Sequence, residues 1–162
     1  MSDSPVSENA VIVERIFDAP VDVIWQMWTQ AEHFKHWYGP QGFTVPVADI
    51  DVREGGKRLV CLNMQTPGGP MDMWTTGEYT EVLTNQRLVY TENMADAEGN
   101  ILPPGDMNPG ETVITVQLED IDGRTKLTLT HAGIPAGSPG ASGWEQALAK
   151  LAEHVKTLRD DS

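Results

Sequence analysis

The sequence predicts an α+β domain in which an antiparallel sheet wraps around a long C-terminal helix. Three observations support this: a strand-like segment at residues 10–18, six further strand-like segments between residues 44 and 131, and an amphipathic helical pattern near the C-terminus. A sheet with one apolar face supplies the surface that such a helix must cover. The 162 residues correspond to about one domain. We expect residues 10–159 to form this domain and residues 1–9 to be flexible.

The pattern changes from strand to helix after the first segment. The stretch AVIVERIFD at residues 10–18 is rich in β-branched side chains, which favour strands. Apolar residues spaced three and four apart then predict a helix from Pro20 to about Trp28. Thr29 and Glu32 have the spacing of a capping box, which predicts a second short helix over residues 30–36, before a Gly-Pro pair.

The middle of the chain consists of short strands separated by turn sequences. The turns REGGK, TPGGP, LTNQ and DIDGR predict hairpins between neighbouring strands. The segment from Asp96 to Gly110 is too long for a tight turn, and we expect it to form a lid or rim. The predicted strands are at about residues 44–52, 57–65, 72–83, 87–94, 111–119 and 125–131.

The C-terminal helix is the clearest element of the sequence. Ser142 and Glu145 have capping-box spacing, which predicts the start of the helix. The apolar residues that follow recur at intervals of three and four, as expected for a stripe facing a core. They are Trp144, Leu148, Leu151, Val155 and Leu158.

Composition argues against several classes of partner. The net charge of -13, from 24 acidic and 11 basic residues, repels phosphate backbones and anionic lipid surfaces. We therefore expect neither nucleic acid nor membrane as a partner. The N-terminus lacks a basic-then-apolar signal pattern, and the single cysteine, Cys61, suits a reducing compartment as a buried, inert thiol. These features predict a cytoplasmic protein.

Five segments, in order, carry a resemblance to a known family. They are FDAPVDVIWQMWTQAEHFKHWYGP at 17–40, DVREGGK at 51–57, GEYTEV with RLVYT within 77–91, TKLTLTH at 125–131 and GWEQALAKLAEHV at 143–155. Together with the order of elements, they resemble the SRPBCC superfamily, which has the START or birch-pollen-allergen-like helix-grip fold. The resemblance is closest to the branch homologous to the C-terminal domain of the heat-shock-chaperone ATPase activator, and it extends from about Val11 to Leu158.

The resemblance implies a curved, seven-stranded antiparallel sheet around the C-terminal helix, with two short helices after the first strand and a cavity between sheet and helix. The segment HWYGP would close one end of that cavity. Its aromatic side chains could then be both a core corner and a pocket wall.

Two other groups of residues are candidates for the pocket lining. Strand alternation places His131 on the same face as two leucines, and Tyr90 and Glu92 share a face of their own strand, so the three could form a polar cluster. Methionines on the middle strands, with Trp74, suit an adaptable apolar wall. A satisfied core histidine is the alternative interpretation of His131. The predicted ligand-binding residues are Trp28, Trp37, Tyr38, Phe43, Met64, Met73, Tyr90, Glu92, His131, Trp144 and Leu148.

Neither a metal site nor a catalytic set is predicted. His33 and His36 provide two ligands, whereas a zinc site needs three or four, so we interpret them as solvated helix residues. The chain has no nucleophile-elbow motif, and Cys61 has no catalytic motif around it. We therefore predict no cofactor and no catalytic residue.

Three functions remain open, with binding preferred. The first is a cytoplasmic protein that encloses a small, mostly apolar ligand. The second, implied by the family, is an interaction module acting on a chaperone, with a link to the stress response. The third is an enzyme of the cyclase or hydratase kind, which would need more convergent ionisable groups than the sequence offers. Either a monomer or a homodimer is compatible with the sequence.

Overall fold

The structure is a computed structural model that describes residues 10–103, 110–133 and 140–160. The predicted flexible residues 1–9, and part of the predicted loop between Asp96 and Gly110, lie outside the described residues. The elements are β1 (Ala10–Phe17), α1 (Val21–Thr29), α2 (Ala31–Phe34), β2 (Phe43–Ile50), β3 (Lys57–Thr66), β4 (Gly69–Leu83), β5 (Arg87–Ala95), β6 (Thr112–Ile121), β7 (Arg124–Ala132) and α3 (Gly140–Asp160).

The seven strands form one antiparallel sheet in the order β1-β7-β6-β5-β4-β3-β2. Strands β2 to β7 follow one another as a meander, and β1 completes the sheet by pairing with β7. The connection through α1 and α2 therefore joins the two edge strands. The sheet is curled into a half-barrel with α3 against it, so the predicted helix-grip architecture is confirmed. None of the described helices is long and apolar enough to cross a membrane.

The core lies between the concave face of the sheet and the apolar stripe of α3. Leu148, Leu151 and Val155 of α3 are buried, as are Leu127 and Leu129 of β7. Successive side chains of a strand point to opposite faces, so the buried alternate residues identify the concave face of each strand. Arg58, Tyr90 and His131 lie on this face.

The curvature of the sheet comes partly from irregular pairing. The register shifts between Thr44 and Val47 on β2 and between Tyr79 and Glu81 on β4. Such bulges bend the strand that contains them. Near the second bulge, a Cβ at Gly77 would lie 1.8 Å from the carbonyl oxygen of Thr91, so only glycine allows this approach of β4 to β5.

The two predicted capping boxes are wrong. The N-cap of α2 is Gln30, without a side-chain cap, because Thr29 still belongs to α1 and its hydroxyl donates to the Trp25 carbonyl. Helix α3 begins at Gly140, so Ser142 lies within the helix, and its hydroxyl oxygen accepts from the Gln146 amide at 3.2 Å. Pro20, the predicted first helical residue, is instead the N-cap of α1.

Candidate functional site

The segment after α2 builds an aromatic cluster against α1 and α3. Trp28 contacts Trp37 edge-on, with ring centroids 4.6 Å apart, and stacks on Trp144 at 6.2 Å. Tyr38 contacts Trp144 edge-on at 5.7 Å and stacks on Phe34 at 4.2 Å. Edge-on and offset contacts are the favourable arrangements for aromatic rings. This cluster closes one side of the grip.

Trp37 is a core residue of this cluster. Its side chain is fully buried, and its indole nitrogen donates to the carbonyl of Met27 at 3.0 Å. Trp28 is also buried, but its indole nitrogen has no acceptor within the described residues. The segment is therefore a core corner at Trp37, with one unpaired donor beside it, and its role as a pocket wall stays a prediction.

Polar side chains of α3 fasten the loop that follows Tyr38. The Lys150 ammonium donates to the carbonyl of Pro40 at 3.0 Å, and the Gln146 side chain accepts from the backbone N–H of Gln41 at 3.0 Å. Burial lowers the pKa of Lys150. These bonds fix the loop, and with it Tyr38, relative to the helix.

Arg58 is the site residue that the sequence interpretation missed. It lies on β3 and is 2 % exposed. Its guanidinium carbon lies 3.9 Å from the ring centroid of Tyr90 and between 5.6 and 5.7 Å from those of Tyr38, Tyr79 and Phe34. A signal was present: in the stretch KRLVCLNM, Arg58 alternates with Val60, Leu62 and Met64, which predicts that it shares their inward face.

A hydrogen-bonded group of tyrosines and one carboxylate lies beside Arg58. The hydroxyls of Tyr38 and Tyr90 are 2.8 Å apart, and Tyr38 also donates to Oε2 of Glu92 at 3.4 Å. Burial raises the pKa of Tyr38, Tyr79 and Tyr90, and the Arg58 charge opposes this rise without cancelling it. The three phenols are therefore neutral near pH 7, and Glu92 is the carboxylate that faces the guanidinium.

His131 belongs to a separate hydrogen-bonded chain. The indole N–H of Trp144 donates to Nδ1 of His131 at 3.0 Å, so Nδ1 is an acceptor and the proton is on Nε2. Nε2 then donates to the hydroxyl of Thr112 at 2.9 Å, and this hydroxyl donates to the backbone carbonyl of Glu92 at 3.3 Å. Burial lowers the pKa of His131, and the charge of Glu92 raises it by a smaller amount, so the neutral ring is favoured.

The predicted polar cluster of Tyr90, Glu92 and His131 thus divides in two. All three lie on the concave face as predicted, but the Glu92 side chain joins the tyrosines while only its backbone joins the chain from His131. The division follows from the sheet, because β6 lies between β5 and β7. His131 therefore pairs with Thr112 of the intervening strand.

One end of the concave face remains apolar and partly exposed. Cross-strand pairing places Met64 opposite Met71, Met73 opposite Leu62, and Met94 opposite Thr75, all on the face that carries Val60. Met71 is 52 % exposed, and the other three methionines are half-buried. We call Met64, Met71, Met73 and Met94 the methionine end. Phe43 and Trp144, also predicted as ligand contacts, are half-buried as well.

Two predicted residues do not have the expected position. Trp74 alternates with Met73 and pairs with Cys61, so it lies on the outer face of the sheet. Leu148 is fully buried in the core with Leu151 and has no exposed surface to offer a ligand.

Two cavities among the described residues lie away from the methionine end. One of about 590 Å³ lies on the outer face of β2 to β5, is lined by Leu59, Thr76 and Asn93, among others, and also borders Arg58. A smaller one of about 220 Å³ borders Val13 of β1 and Leu148 of α3. An enclosed apolar cavity between the sheet and α3 stays a prediction.

A third histidine joins His33 of α2 and His36 of the turn that follows it. Nδ1 of His33 lies 3.1 Å from Nε2 of His154 on α3, and the rings of His36 and His154 stack at 4.6 Å. Burial lowers the pKa of His154, with His36 and His33 adding to the effect. His36 is exposed, as expected of a solvated histidine, but it lies beyond the end of α2, and His33 is half-buried. No group of metal-binding side chains suited to an ion occurs in the described residues.

Known structures share this architecture. A Nitrosomonas europaea protein of known crystal structure is 21 % identical over 94 % of this chain and 97 % of its own, with a TM-score of 0.74. The AHSA1 protein of Silicibacter pomeroyi is 21 % identical over 91 % of this chain and 98 % of its own, with a TM-score of 0.72. A Staphylococcus epidermidis protein with a solution structure is 25 % identical over 93 % and 91 %, with a TM-score of 0.73.

Sequence comparison identifies the family. No curated protein matches the chain. The model of the Activator of Hsp90 ATPase homolog 1-like protein family matches residues 18–156, which is most of the chain and includes the aromatic cluster, Arg58 and His131. The chain therefore belongs to the Activator of Hsp90 ATPase homolog 1-like family.

Proposed function

We propose that the protein binds a small, mostly apolar molecule on the concave face of its sheet, at the methionine end. The single observation that supports this most strongly is the partly exposed set of four methionines on a face that is otherwise core. Methionine is flexible and polarisable, so a surface made of it adapts to varied apolar ligands. A concave apolar surface with a few polar groups is the usual form of a small-molecule site.

The surrounding residues have different roles in this proposal. Met64, Met73 and Phe43 contact the ligand, because each is partly exposed and Phe43 pairs with Met64 across the sheet. Trp144, which is also half-buried, contacts Tyr38 and extends this surface on the side of the polar boundary. Tyr38, Tyr90 and Glu92 provide the polar boundary of the site. The remaining predicted residues support the walls from the core and do not contact the ligand. They are Trp28, Trp37, His131 and Leu148.

A second candidate is docking on a chaperone, which the family description favours. The acidic balance of the chain, with a net charge of -13, would suit a basic partner surface. Docking of this kind would use the outer surface and would not depend on the methionine end. Ligand binding and chaperone docking can therefore be tested separately.

The binding proposal can be tested with a neutral fluorescent probe. N-phenyl-1-naphthylamine brightens when it enters an apolar site, and decanol, a neutral competitor, should displace it. Met71→Gln should weaken probe binding by about fivefold, the equivalent of roughly 1 kcal/mol of lost apolar contact.

Ile12→Gln provides the matched control. Ile12 is 56 % exposed, close to the 52 % of Met71, but it lies on the outer face of β1. It should leave probe binding unchanged. Equal effects of both variants, or absence of saturable probe binding to the wild type, would refute the proposed site. Retention by an immobilised chaperone of both wild type and Met71→Gln, without probe binding, would favour the second candidate.

A further inference from the structure

The concave face of the sheet carries a buried cation, Arg58, whose N–H donors are unused. Within the described part of the chain, Nε, Nη1 and Nη2 of Arg58 are all buried and none has an acceptor at hydrogen-bonding geometry. A guanidinium carries five N–H donors and stays protonated in proteins. A buried charge without hydrogen bonds is strongly unfavourable, so these donors favour the binding of an acceptor.

The neighbours of Arg58 compensate its charge without satisfying its donors. Tyr90 presents its ring face at 3.9 Å, which is a cation–π contact. The nearest carboxylate oxygen, Oε2 of Glu92, is 3.9 Å from Nη1, too far for a hydrogen bond. Interaction with Arg58, through its charge and through hydrogen bonding, acts to lower the pKa values of Tyr38 and Tyr79, but no Arg58 nitrogen makes a hydrogen bond of normal geometry within the described residues.

The tyrosines beside Arg58 offer a hydroxyl donor. Tyr38 and Tyr90 share one hydrogen bond of 2.8 Å, which uses one of their two hydroxyl protons. The other proton has only the long contact of 3.4 Å from Tyr38 to Glu92. The site therefore combines a planar array of N–H donors with an O–H donor. A carboxylate complements this set, because its two oxygens match a guanidinium in a bidentate pair and each can accept a further bond.

The position of Arg58 connects it to the methionine end. Along the concave face, the pair Arg58 and Gly77 is followed by Val60 and Thr75, with Met94 beside them, and then by Leu62 and Met73. Alternate residues of a strand are about 6.6 Å apart, so Arg58 and Met73 are separated by about 13 Å.

We propose that Arg58 binds the carboxylate of the ligand whose apolar part lies at the methionine end, so that the natural ligand class is a medium-length apolar acid. This inference rests on the proposed function and adds its chemical class. Two guanidinium N–H groups bind the two carboxylate oxygens, and the Tyr38 hydroxyl exchanges its long bond to Glu92 for a bond to one of them. The apolar chain extends along Met94 and Met73.

Glu92 controls access to the guanidinium of Arg58. Its side chain is 19 % exposed, whereas that of Arg58 is 1 % exposed, and it contacts both Tyr38 and the guanidinium. An incoming carboxylate must displace this side chain and is repelled by its charge. Neutralising Glu92 should therefore strengthen the binding of an acid and leave the binding of a neutral alcohol unchanged.

The test compares decanoate with decanol, which share a ten-carbon chain and differ in the head group, by isothermal titration calorimetry below their micellar concentrations. Decanoate should bind the wild type about tenfold more tightly, the size expected for hydrogen bonds to a charged group. Arg58→Gln should remove this preference, and Glu92→Gln should increase it. Lys57→Gln is the matched control, since Lys57 adjoins Arg58 but is exposed on the opposite face.

The outcomes separate this inference from the proposed function. Equal binding of decanol and decanoate, or a preference that survives in a folded Arg58→Gln variant, would overturn the carboxylate site and leave the apolar site intact. Failure of both compounds to bind would overturn both. If Arg58→Gln does not fold, Glu92→Gln still decides: unchanged or weaker decanoate binding contradicts the inference.

Discussion

Two buried polar clusters on the same sheet face differ in how completely their hydrogen bonds are made. Around His131, both ring nitrogens are paired, one with Trp144 and the other with Thr112. Around Arg58, none of the three nitrogens is paired among the described residues. Burial is similar, at 8 % exposure for His131 and 2 % for Arg58. The two clusters therefore differ in the unused donors of a buried cation and not in burial.

The difference extends to charge. His131 is neutral, and its single N–H has an acceptor, so its cluster is complete within the protein. Arg58 is a cation in a ring of neutral phenols, with Glu92 at a distance. We therefore expect the His131 cluster to hold the fold together and the Arg58 cluster to serve recognition. Changes to the two clusters should have opposite consequences for stability and for binding.

The largest effect on stability is expected from His131→Leu. The change leaves the indole N–H of Trp144 and the hydroxyl of Thr112 without their partner, which destabilises by about 1–3 kcal/mol. Urea unfolding followed by circular dichroism measures it, and Thr130→Val, on the opposite face of β7, is the control. A loss below about 0.5 kcal/mol would show that the cluster does not stabilise the fold.

A smaller effect is expected from acidification. Burial lowers the pKa of His131 and of His154 below the ordinary value of 6.5, so below that pH the unfolded chain takes up protons that the folded chain excludes. The stability that these groups contribute is present above pH 6.5 and is lost as the pH falls through their folded pKa values. The free energy of unfolding should therefore fall between pH 7 and pH 5.

Single-residue variants show which histidine causes the fall in the free energy of unfolding. His154→Gln and His131→Gln should each reduce the slope of stability against pH, measured by urea unfolding at half-unit steps. The carboxylates contribute equally in all three proteins, so the difference in slope isolates each histidine. If the slope of the free energy of unfolding against pH is the same in the wild type and in both variants, neither His131 nor His154 has a lowered pKa in the folded protein.

The smallest effect is expected from Arg58→Met. The change removes no hydrogen bond among the described residues, and the Glu92 side chain that faces Arg58 retains access to solvent. Replacement of a buried charge by an apolar side chain of similar length is often neutral or stabilising, so we expect the free energy of unfolding to change by less than about 1 kcal/mol. A loss above about 2 kcal/mol would mean that Arg58 stabilises the fold as much as His131 does, which would remove the contrast.

Much of the fold was predictable because its patterns are local. The strands of the meander follow from alternation and turn chemistry, and α3 follows from a stripe of apolar residues that are buried in the structure. The capping boxes failed because the spacing of Thr29 and Glu32, or Ser142 and Glu145, does not determine where a helix starts. Thr29 is still the last residue of α1, and Ser142 already lies within α3.

The candidate site was predictable only in part because it depends on contacts between distant segments. Alternation correctly placed Tyr90 and His131 on the concave face, but only the strand order shows that β6 separates them. Arg58 was overlooked because a charged residue in a strand is usually exposed. His154, which lies far along the chain from His33, meets it only through the packing of α3 on α2.

The pairing of β1 with β7 has a consequence for biosynthesis. Ala10 pairs with Ala132 and Phe17 with Thr125, whereas every other pairing in the sheet joins strands that are neighbours in sequence. On the ribosome, the meander can assemble as it emerges, but β1 must wait until β7 has been translated. Such distant pairings fold slowly, since a long loop must close first. During this interval, β1 is an unpaired strand bearing Ile12 and Ile16, and we expect nascent-chain chaperones to contact the protein there.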